Sequence, residues 1–553
     1  VRKEADPVIS ILALITVLMV VGGALGDQND SKVIRAEDVE SALKDGKPYN
    51  FDGRTVEGDL NLSGETLGSV QFVDTMFDGA VNFNGAIFTG GATFEKSRFS
   101  GDASFENAKF HGNHVNFDNA KFSGLANFKS ANFSCNAYFD WAKFNGKRVY
   151  FKDAFFGGNE TSFRESQFNG IADFKDSSFS GSKAIFKHAA FLNLAIFENA
   201  VFHSSASFDK VTFSGEANFK LSEFLEDASF ESANFAGNPT EFTGSKFLGE
   251  KTDFSNAQFA GLTANFSNVT FSSCDIDFTN AEFAGKNYTN FVRAKFSGDR
   301  VRFRKANFSG EVASFNETEF SGGYADFAGA RFDNSNSYFL GATFDREALF
   351  NHAWFSGTTY FDYAWFKEGA SFVDATLQGR LHLTRTRYDN LFIRWDDIEG
   401  GLAWDDGAYF SLLKNFKTLG YVTDYLNCYM DYRKEQRGQF SGLRWFFDLL
   451  LELSYGYGKE PAKPIFWSIV IISICSLIFR RLYWKHIRKD FPEAIRFSIS
   501  IFFSGTRLFV ESPPKVDEKW PPELKALFQL ERILGIIFTA LLILAISESV
   551  IQP

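Results

Sequence analysis

The most constraining feature of the sequence is a beat of phenylalanine that runs from about Gly68 to about Leu377. Phe94, Phe99, Phe105, Phe110, Phe117, Phe122, Phe128 and Phe133 show its step, about five residues and then about six or seven. Two places before almost every Phe stands a small residue: Ala92, Ser97, Ala103, Ala108, Val115, Ala120, Ala126 and Ala131. An amphipathic helix returns its apolar face every three or four residues and a strand every two, so neither carries this beat. A solenoid does. Each Phe and the small residue before it point into one narrow core, each unit forms one wall of a coil, and polar residues turn the corners. Ser123-Gly124, Asn145-Gly146, Ser180-Gly181 and Ser309-Gly310 read as corners, because Gly accepts a positive φ and Asn, Asp and Ser bond their own backbone.

The unit of a small residue, a polar one and a central Phe, as in Ala108-Lys109-Phe110 and Ala120-Lys121-Phe122, resembles that of the pentapeptide-repeat proteins. The resemblance implies a mainly β chain in which four units make one square turn of a right-handed quadrilateral β-helix. It also implies that the residue or two added to alternate units is absorbed at corners. About fifty-two Phe positions at four per coil give roughly thirteen coils, and at ~4.8 Å per strand spacing a rod roughly 60 Å long. Each buried Phe contributes on the order of 1.5–3 kcal/mol, so the ladder is ample to hold the fold.

A chain of 553 residues ordinarily suggests several domains. A solenoid grows in one dimension, so the reading is one rod with appendages. Cys135, Cys274, Cys428 and Cys475 have neither paired nor metal-ligand spacing, which indicates no disulfide framework and no metal site. The net charge of -11 is spread with mixed sign, as in Glu106, Lys109, Asp118, Lys121, Lys129, Asp140 and Lys143, and reads as a solvated face. Some pentapeptide-repeat proteins resemble a DNA duplex closely enough to occupy gyrase. Such a mimic needs an unbroken acidic stripe, and Lys is interleaved here, so no nucleic-acid partner is expected. No phosphate-cradling Gly loop with Lys, HExxH or nucleophile elbow appears, so neither an enzyme nor a cofactor is expected.

Along the chain, residues 1–30 carry Arg2 and Lys3 and then an apolar run from Val8 to Gly26, a signal peptide with a small-residue site at Ala24-Leu25-Gly26 or an N-terminal membrane anchor. Either way, Asp27 and Asp30 after it suggest that the next domain is exported. Residues 31–50 hold a capping helix, Arg35 to Asp45, stopped by Gly46 and Pro48. The β-helix takes 51–388, tapering at Val56 to Leu67 and at Leu377, Leu381 and Leu383. Residues 389–440 give a plug with Trp395 and Trp404, then a helical hairpin at about 407–418 and 422–437 around Gly420. Residues 441–553 read as a helical membrane domain in the lipid bilayer: an interfacial helix at Leu443 to Leu453, spans at 464–484 and 527–547, and a re-entrant helix at 492–507 between them. Gly456-Tyr457-Gly458 reads as a tight turn rather than a potassium filter, because no pore helix precedes it and Lys459, Pro461 and Pro464 come directly after.

Ser454 to Pro461, Ser498 to Gly505, and Glu531-Arg532-Ile533-Leu534-Gly535 resemble the segment of pentapeptide-repeat membrane proteins that end in a two-helix ion-channel domain. That implies a homo-oligomer, a tetramer whose four re-entrant loops meet on the axis. Potassium channels carry Thr-Val-Gly-Tyr-Gly where this chain has Ser504-Gly505-Thr506-Arg507, so the resemblance stops short of potassium selectivity. Arg496, Ser500, Ser504 and Arg507 fall at helical spacing on one face. With Gly505 and Thr506 they are the candidate pore-lining residues, and rings of Arg favour anions. Two functions remain open: a channel-like pore module with the solenoid as sensor or vestibule, or a membrane-anchored scaffold without conduction whose rod presents its surface to a protein partner. The basic run from Arg480 to Lys489 places the inter-span loop in the cytoplasm and the solenoid outside. In two-helix channels the pore loop enters from outside, so the module is inverted or the rod is cytoplasmic.

Overall fold

The computed structural model describes residues 32–46, 50–285, 288–482, 491–506, 516 and 520–550. The signal-or-anchor segment at 1–30 and Arg507 lie outside the described residues. The repeat region is a parallel β-solenoid whose four walls are sheets of 16, 15, 15 and 15 strands. Coils stack in register, Phe99 over Phe122 on one wall and Ala103 over Ala126 on the next. Two kinds of wall alternate. In one the strand ends on the buried Phe, as in Lys109–Phe110; in the other it holds the small residue and the Phe comes next, as in Ala103–Ser104 before Phe105. In both, the Phe and the small residue two before it are buried and the residue between them faces outward.

The corners also come in two kinds. At Phe105-Glu106-Asn107-Ala108, the Ala108 N–H donates to the Phe105 carbonyl at 3.0 Å and Asn107 sits at φ 57°. Lys96, Trp141 and Leu221 hold the same left-handed place in other coils. This corner is therefore not reserved for Gly or Asn. A left-handed residue costs about 1–2 kcal/mol, which the turn's hydrogen bond and the ring packing beside it offset. The Ser-Gly corners correct the expectation drawn from φ. Neither Gly124 nor Gly146 has a positive φ, but a Cβ on Gly124 would lie 2.7 Å from the Gly101 carbonyl oxygen, and one on Gly146 2.0 Å from that of Gly124. Glycine stands there because neighbouring coils touch backbone to backbone. The extra residues of the longer steps fall at these corners.

Inside, each wall contributes a column of stacked rings. Phe105 lies 5.2 Å from Phe83 and 4.9 Å from Phe128, nearly parallel to both, and meets Phe117 of the adjoining column edge-on at 5.4 Å and 84°. Such pairs add about 0.5–1.5 kcal/mol beyond area burial. The columns meet edge to face at the axis, so side chains fill the interior of the rod. There are about 15 coils rather than thirteen. Counting Phe missed the end coils, where Leu60, Leu62, Leu67 and Val70, and then Leu377, Leu381, Leu383 and Leu391, occupy the buried places. At ~4.8 Å per coil the rod is about 70 Å long.

The first coil is capped by a strand and a helix. Val33–Arg35 pairs with Thr55–Glu57 as an added strand, and α1 (Ala36–Lys44) lays Ala36, Val39 and Ala42 on the core. Glu40 Oε1 accepts the Asn61 N–H at 2.6 Å, serving a backbone donor at the sheet edge. The strand is too short to show a period in the sequence.

Outward residues of successive coils pair with opposite sign, Lys246 with Glu223 at 2.8 Å and Lys175 with Glu198 at 2.6 Å, which sets a mixed charge pattern. Asp118 is an exception. Burial pushes its carboxyl up to about 6, the Asp140 N–H donated to it at 2.8 Å pulls the other way, and the Asp140 and Glu95 carboxylates add to the rise. A raised folded-state value means stability that is present below the unfolded value of ~3.9 and is lost as pH climbs through about 6. Asp118→Asn is accordingly expected to raise the thermal midpoint at pH 8 by an amount worth ~1 kcal/mol, discounted for partial exposure, and to leave it nearly unchanged at pH 4. Circular-dichroism melts at both values check this, and equal shifts would contradict it.

Candidate functional site

The last coil is closed by a helical hairpin, α2 (Asp406–Leu419) and α3 (Val422–Gly438), with Gly420 left-handed between them. The Asp405 carboxylate caps α2 by accepting the Ala408 N–H at 2.8 Å. Tyr409, Leu412, Leu413 and Phe416 continue the core past the plug residues Ile393, Ile398 and Leu402. Asn415 then uses its whole amide on Leu391, accepting the N–H at 2.9 Å and donating to the carbonyl at 2.8 Å. Leu391 lies in the final strand of its wall, so the Asn415 side chain supplies the hydrogen bonds that another coil would make. Asp424 accepts the Trp395 N–H at 2.7 Å and pairs with Arg394 at 2.8 Å. The hairpin is thus built onto the rod. Burial pushes both the Tyr388 phenol and the Cys428 thiol up, which keeps each neutral and makes Cys428 a packing residue rather than a nucleophile.

From α3 the chain passes to α4 (Leu443–Tyr455). Leu443, Trp445, Phe446, Phe447 and Leu450 are exposed on it, and Asp448 is buried on the opposite side. Asp448 pairs with Arg433, and Arg437 lies 3.9 Å from it while pairing with Glu452. The turn at Gly456–Gly458 folds Tyr457 back under α4. Its hydroxyl donates to the Asp448 carboxylate, its ring lies 5.0 Å from the Arg433 guanidinium, and burial, then the Asp448 bond, pushes its phenol up. Gly456 at φ 60°, Tyr457 at φ 51° and Gly458 at φ 93° make the reversal, which is a turn sealed by a buried side chain. Sequence reasoning missed this network. Its signal was there: Arg433 and Arg437 one turn apart on one helix, Asp448 and Glu452 one turn apart on the next.

Among the described residues three further helices follow: α5 (Ala462–Leu482), α6 (Phe491–Ser504) and α7 (Pro522–Val550). The stretches Ala462–Arg481 and Pro522–Ser547 are long and apolar enough to cross a membrane. At 1.5 Å per residue α6 is about 21 Å long, short of the ~30 Å of a bilayer's hydrocarbon. It packs against both long helices. A Cβ on Gly535 of α7 would lie 1.9 Å from the Phe502 carbonyl oxygen, and one on Gly505 2.4 Å from Ile536, so small residues let α6 and α7 touch closely. Phe479, Phe497, Trp520 and Phe528 tie one end of the three together in a chain of edge-on rings.

The predicted stripe divides across this packing. Arg496 is exposed, and Ser500 is half-buried with its hydroxyl donating to the Phe497 carbonyl at 2.7 Å. Ser504 is buried and donates to the Ile501 carbonyl at 2.7 Å, Gly505 is wedged against α7, and Thr506 donates to the Phe503 carbonyl at 3.1 Å. Arg496 and Ser500 therefore share the less covered side of α6, while Ser504 is buried and Gly505 turns toward α7. Among the described residues no group of His, Cys, Asp and Glu is arranged to hold a metal ion.

The family described as pentapeptide repeats (9 copies) matches residues 72–120, 117–167, 163–212, 197–246, 291–337 and 339–387. No curated protein and no solved structure matches the chain. Residues 247–290 fall outside these matches, yet the ring columns run through them unbroken, with Phe247 and Phe271 5.0 Å apart and Phe266 and Phe291 4.9 Å apart.

Proposed function

Because residues 72–246, 291–337 and 339–387 match pentapeptide repeats and the whole stretch winds into one β-solenoid, and two helices beyond it could cross a membrane, we propose a non-enzymatic membrane protein whose C-terminal helices assemble, in several copies, an ion-conducting pore. The observation that carries this reading is α6. A helix too short to cross, set between two that are long enough, with Arg496 and Ser500 on its less covered side, has the layout of a re-entrant pore element. Four copies around an axis would bring those residues together, and a ring of Arg496, joined by Arg507, favours anions. The basic Arg480 and Arg481 at the end of α5 support a solenoid outside the cytoplasm. The filled solenoid core supports the sensor over the vestibule as the role of the rod. The lipid bilayer is the partner of α4, α5 and α7.

A second reading, a membrane-anchored scaffold without conduction whose rod binds a protein, is favoured by the inward turn of Ser504 and Gly505, which gives α6 a packing role within one copy. Single-channel recording of the full-length protein in a planar bilayer under a potassium chloride gradient separates the two. The pore predicts unitary currents that reverse toward the chloride potential, and Arg496→Gln with Arg507→Gln is expected to move that reversal toward the cation side. Silence from protein shown to be inserted and folded would leave the scaffold. An unmoved reversal would remove the arginines from the pore.

A further inference from the structure

Glu531 is a carboxyl inside an apolar helix, about 13 Å along α7 from its first residue, and it is fully buried. Ser498 of α6 and Cys475 of α5 face it. The Ser498 hydroxyl oxygen is within hydrogen-bond reach of both Glu531 Oε1 and the Ile472 carbonyl oxygen, the latter at 3.1 Å. Glu531 Oε2 is buried and takes no hydrogen bond from nitrogen or oxygen, and the Cys475 thiol faces the carboxyl. No ion pair among the described residues reaches this carboxyl: Arg532, its neighbour in sequence, makes none to it, and Arg496 on α6 is exposed.

Hydrogen counting decides what the arrangement holds. Two hydrogen bonds along Glu531, Ser498 and Ile472 need two hydrogens. The serine hydroxyl has one, and a carbonyl has none. A hydrogen on the carboxyl supplies the other, and a neutral carboxyl is far less costly in this buried place than a carboxylate faced, besides Ser498, by the weak S–H donor of Cys475. We propose that Glu531 is an intramembrane proton-binding site, in which the carboxyl hydrogen is donated to Ser498 Oγ and the Ser498 hydrogen to the Ile472 carbonyl. On proton release the Ser498 hydroxyl turns to the carboxylate, and Ile472 keeps its bond from the Ser476 hydroxyl at 2.5 Å. The site thus has two hydrogen-bond patterns that differ by one proton and by the partner of Ser498. Because Ser498, Ile472 and Glu531 lie on three different helices, each pattern ties α5, α6 and α7 together differently. The site stands whether or not the module conducts.

Infrared spectroscopy of the full-length protein in lipid vesicles tests it. At neutral pH the native protein is expected to show a carboxylic-acid C=O stretch that Glu531→Gln removes and Ser498→Ala shifts to higher frequency, because the carboxyl loses its acceptor. A native spectrum without the band, or a band that survives Glu531→Gln, overturns the proposal. If Glu531→Gln fails to insert, Ser498→Ala decides alone: an unshifted band overturns it. Loss of the band on adding sodium ions at constant pH would reassign the ligand to a metal cation, and this also overturns it.

Discussion

Phe128→Ala is expected to destabilise the solenoid by about 3–5 kcal/mol. The ring is fully buried, 4.9 Å from Phe105 on one side and 4.9 Å from Phe151 on the other, and edge-on to Phe117 at 5.4 Å and Phe139 at 5.6 Å. The space left by its removal cannot close, because the hydrogen-bonded ladders of four walls fix the distance between coils above and below. The change also removes nearest-neighbour coupling at one level of a one-dimensional stack. Urea unfolding should show the loss, and hydrogen exchange should rise in the coils around residues 105–151 before it rises elsewhere. Phe155, 40% exposed at the outward place of its strand, is the control. Its replacement by Ala should change stability by no more than ~0.5 kcal/mol. Equal effects at Phe128 and Phe155 would mean that the stacked columns do not hold the rod.

Asp448→Ala is the second substitution with a large expected effect, at the joint between the rod and the C-terminal helices. It removes the carboxylate shared by Arg433, Arg437 and Tyr457 and leaves a guanidinium facing an aromatic ring without its partner. Breaking one side of a buried pair costs about 3–5 kcal/mol, whereas replacing both sides with apolar residues can be neutral. Exchange protection should therefore fall across residues 433–457, and Arg433→Met combined with Asp448→Leu should restore most of it. Unchanged protection in Asp448→Ala would show that α4 is held by its apolar contacts alone. In the pore reading the same variant should weaken any response transmitted from the rod while leaving the conducting helices intact.

These two sites differ in how well the sequence announces them. Each wall of the solenoid repeats one local rule, a small residue two before a Phe, so a run such as Ala103 to Phe133 fixes the core without knowledge of distant partners. The reason for glycine at the Ser-Gly corners was not legible, because it depends on contact with the coil before. Asp448 reads as part of the polar side of an amphipathic helix, and that this side is the buried one shows only when α3 is known to cover it, with Arg433 joined to it by folding. The stripe at Arg496, Ser500 and Ser504 shows the limit of periodicity. Spacing assigns residues to a common side of a helix, but α7 covers part of that side, and Gly535 decides how closely. Glu531 stands out in the sequence as a charge in an apolar run; Ser498, which completes its site, is 33 residues away.

Coil length varies along the rod while its rise does not. Phe77 and Phe99 are twenty-two residues apart and Phe266 and Phe291 are twenty-five, yet both pairs of rings lie 4.9 Å apart. Extra residues bulge sideways at the corners and leave the axial step untouched. The reach of the rod is therefore quantised. Duplicating or deleting four units moves the α1 cap relative to the α2–α3 hairpin by one increment of ~4.8 Å and presents the same edges to both. Such a spacer can be retuned by gene duplication alone, with the helices at its far end unaware of the change.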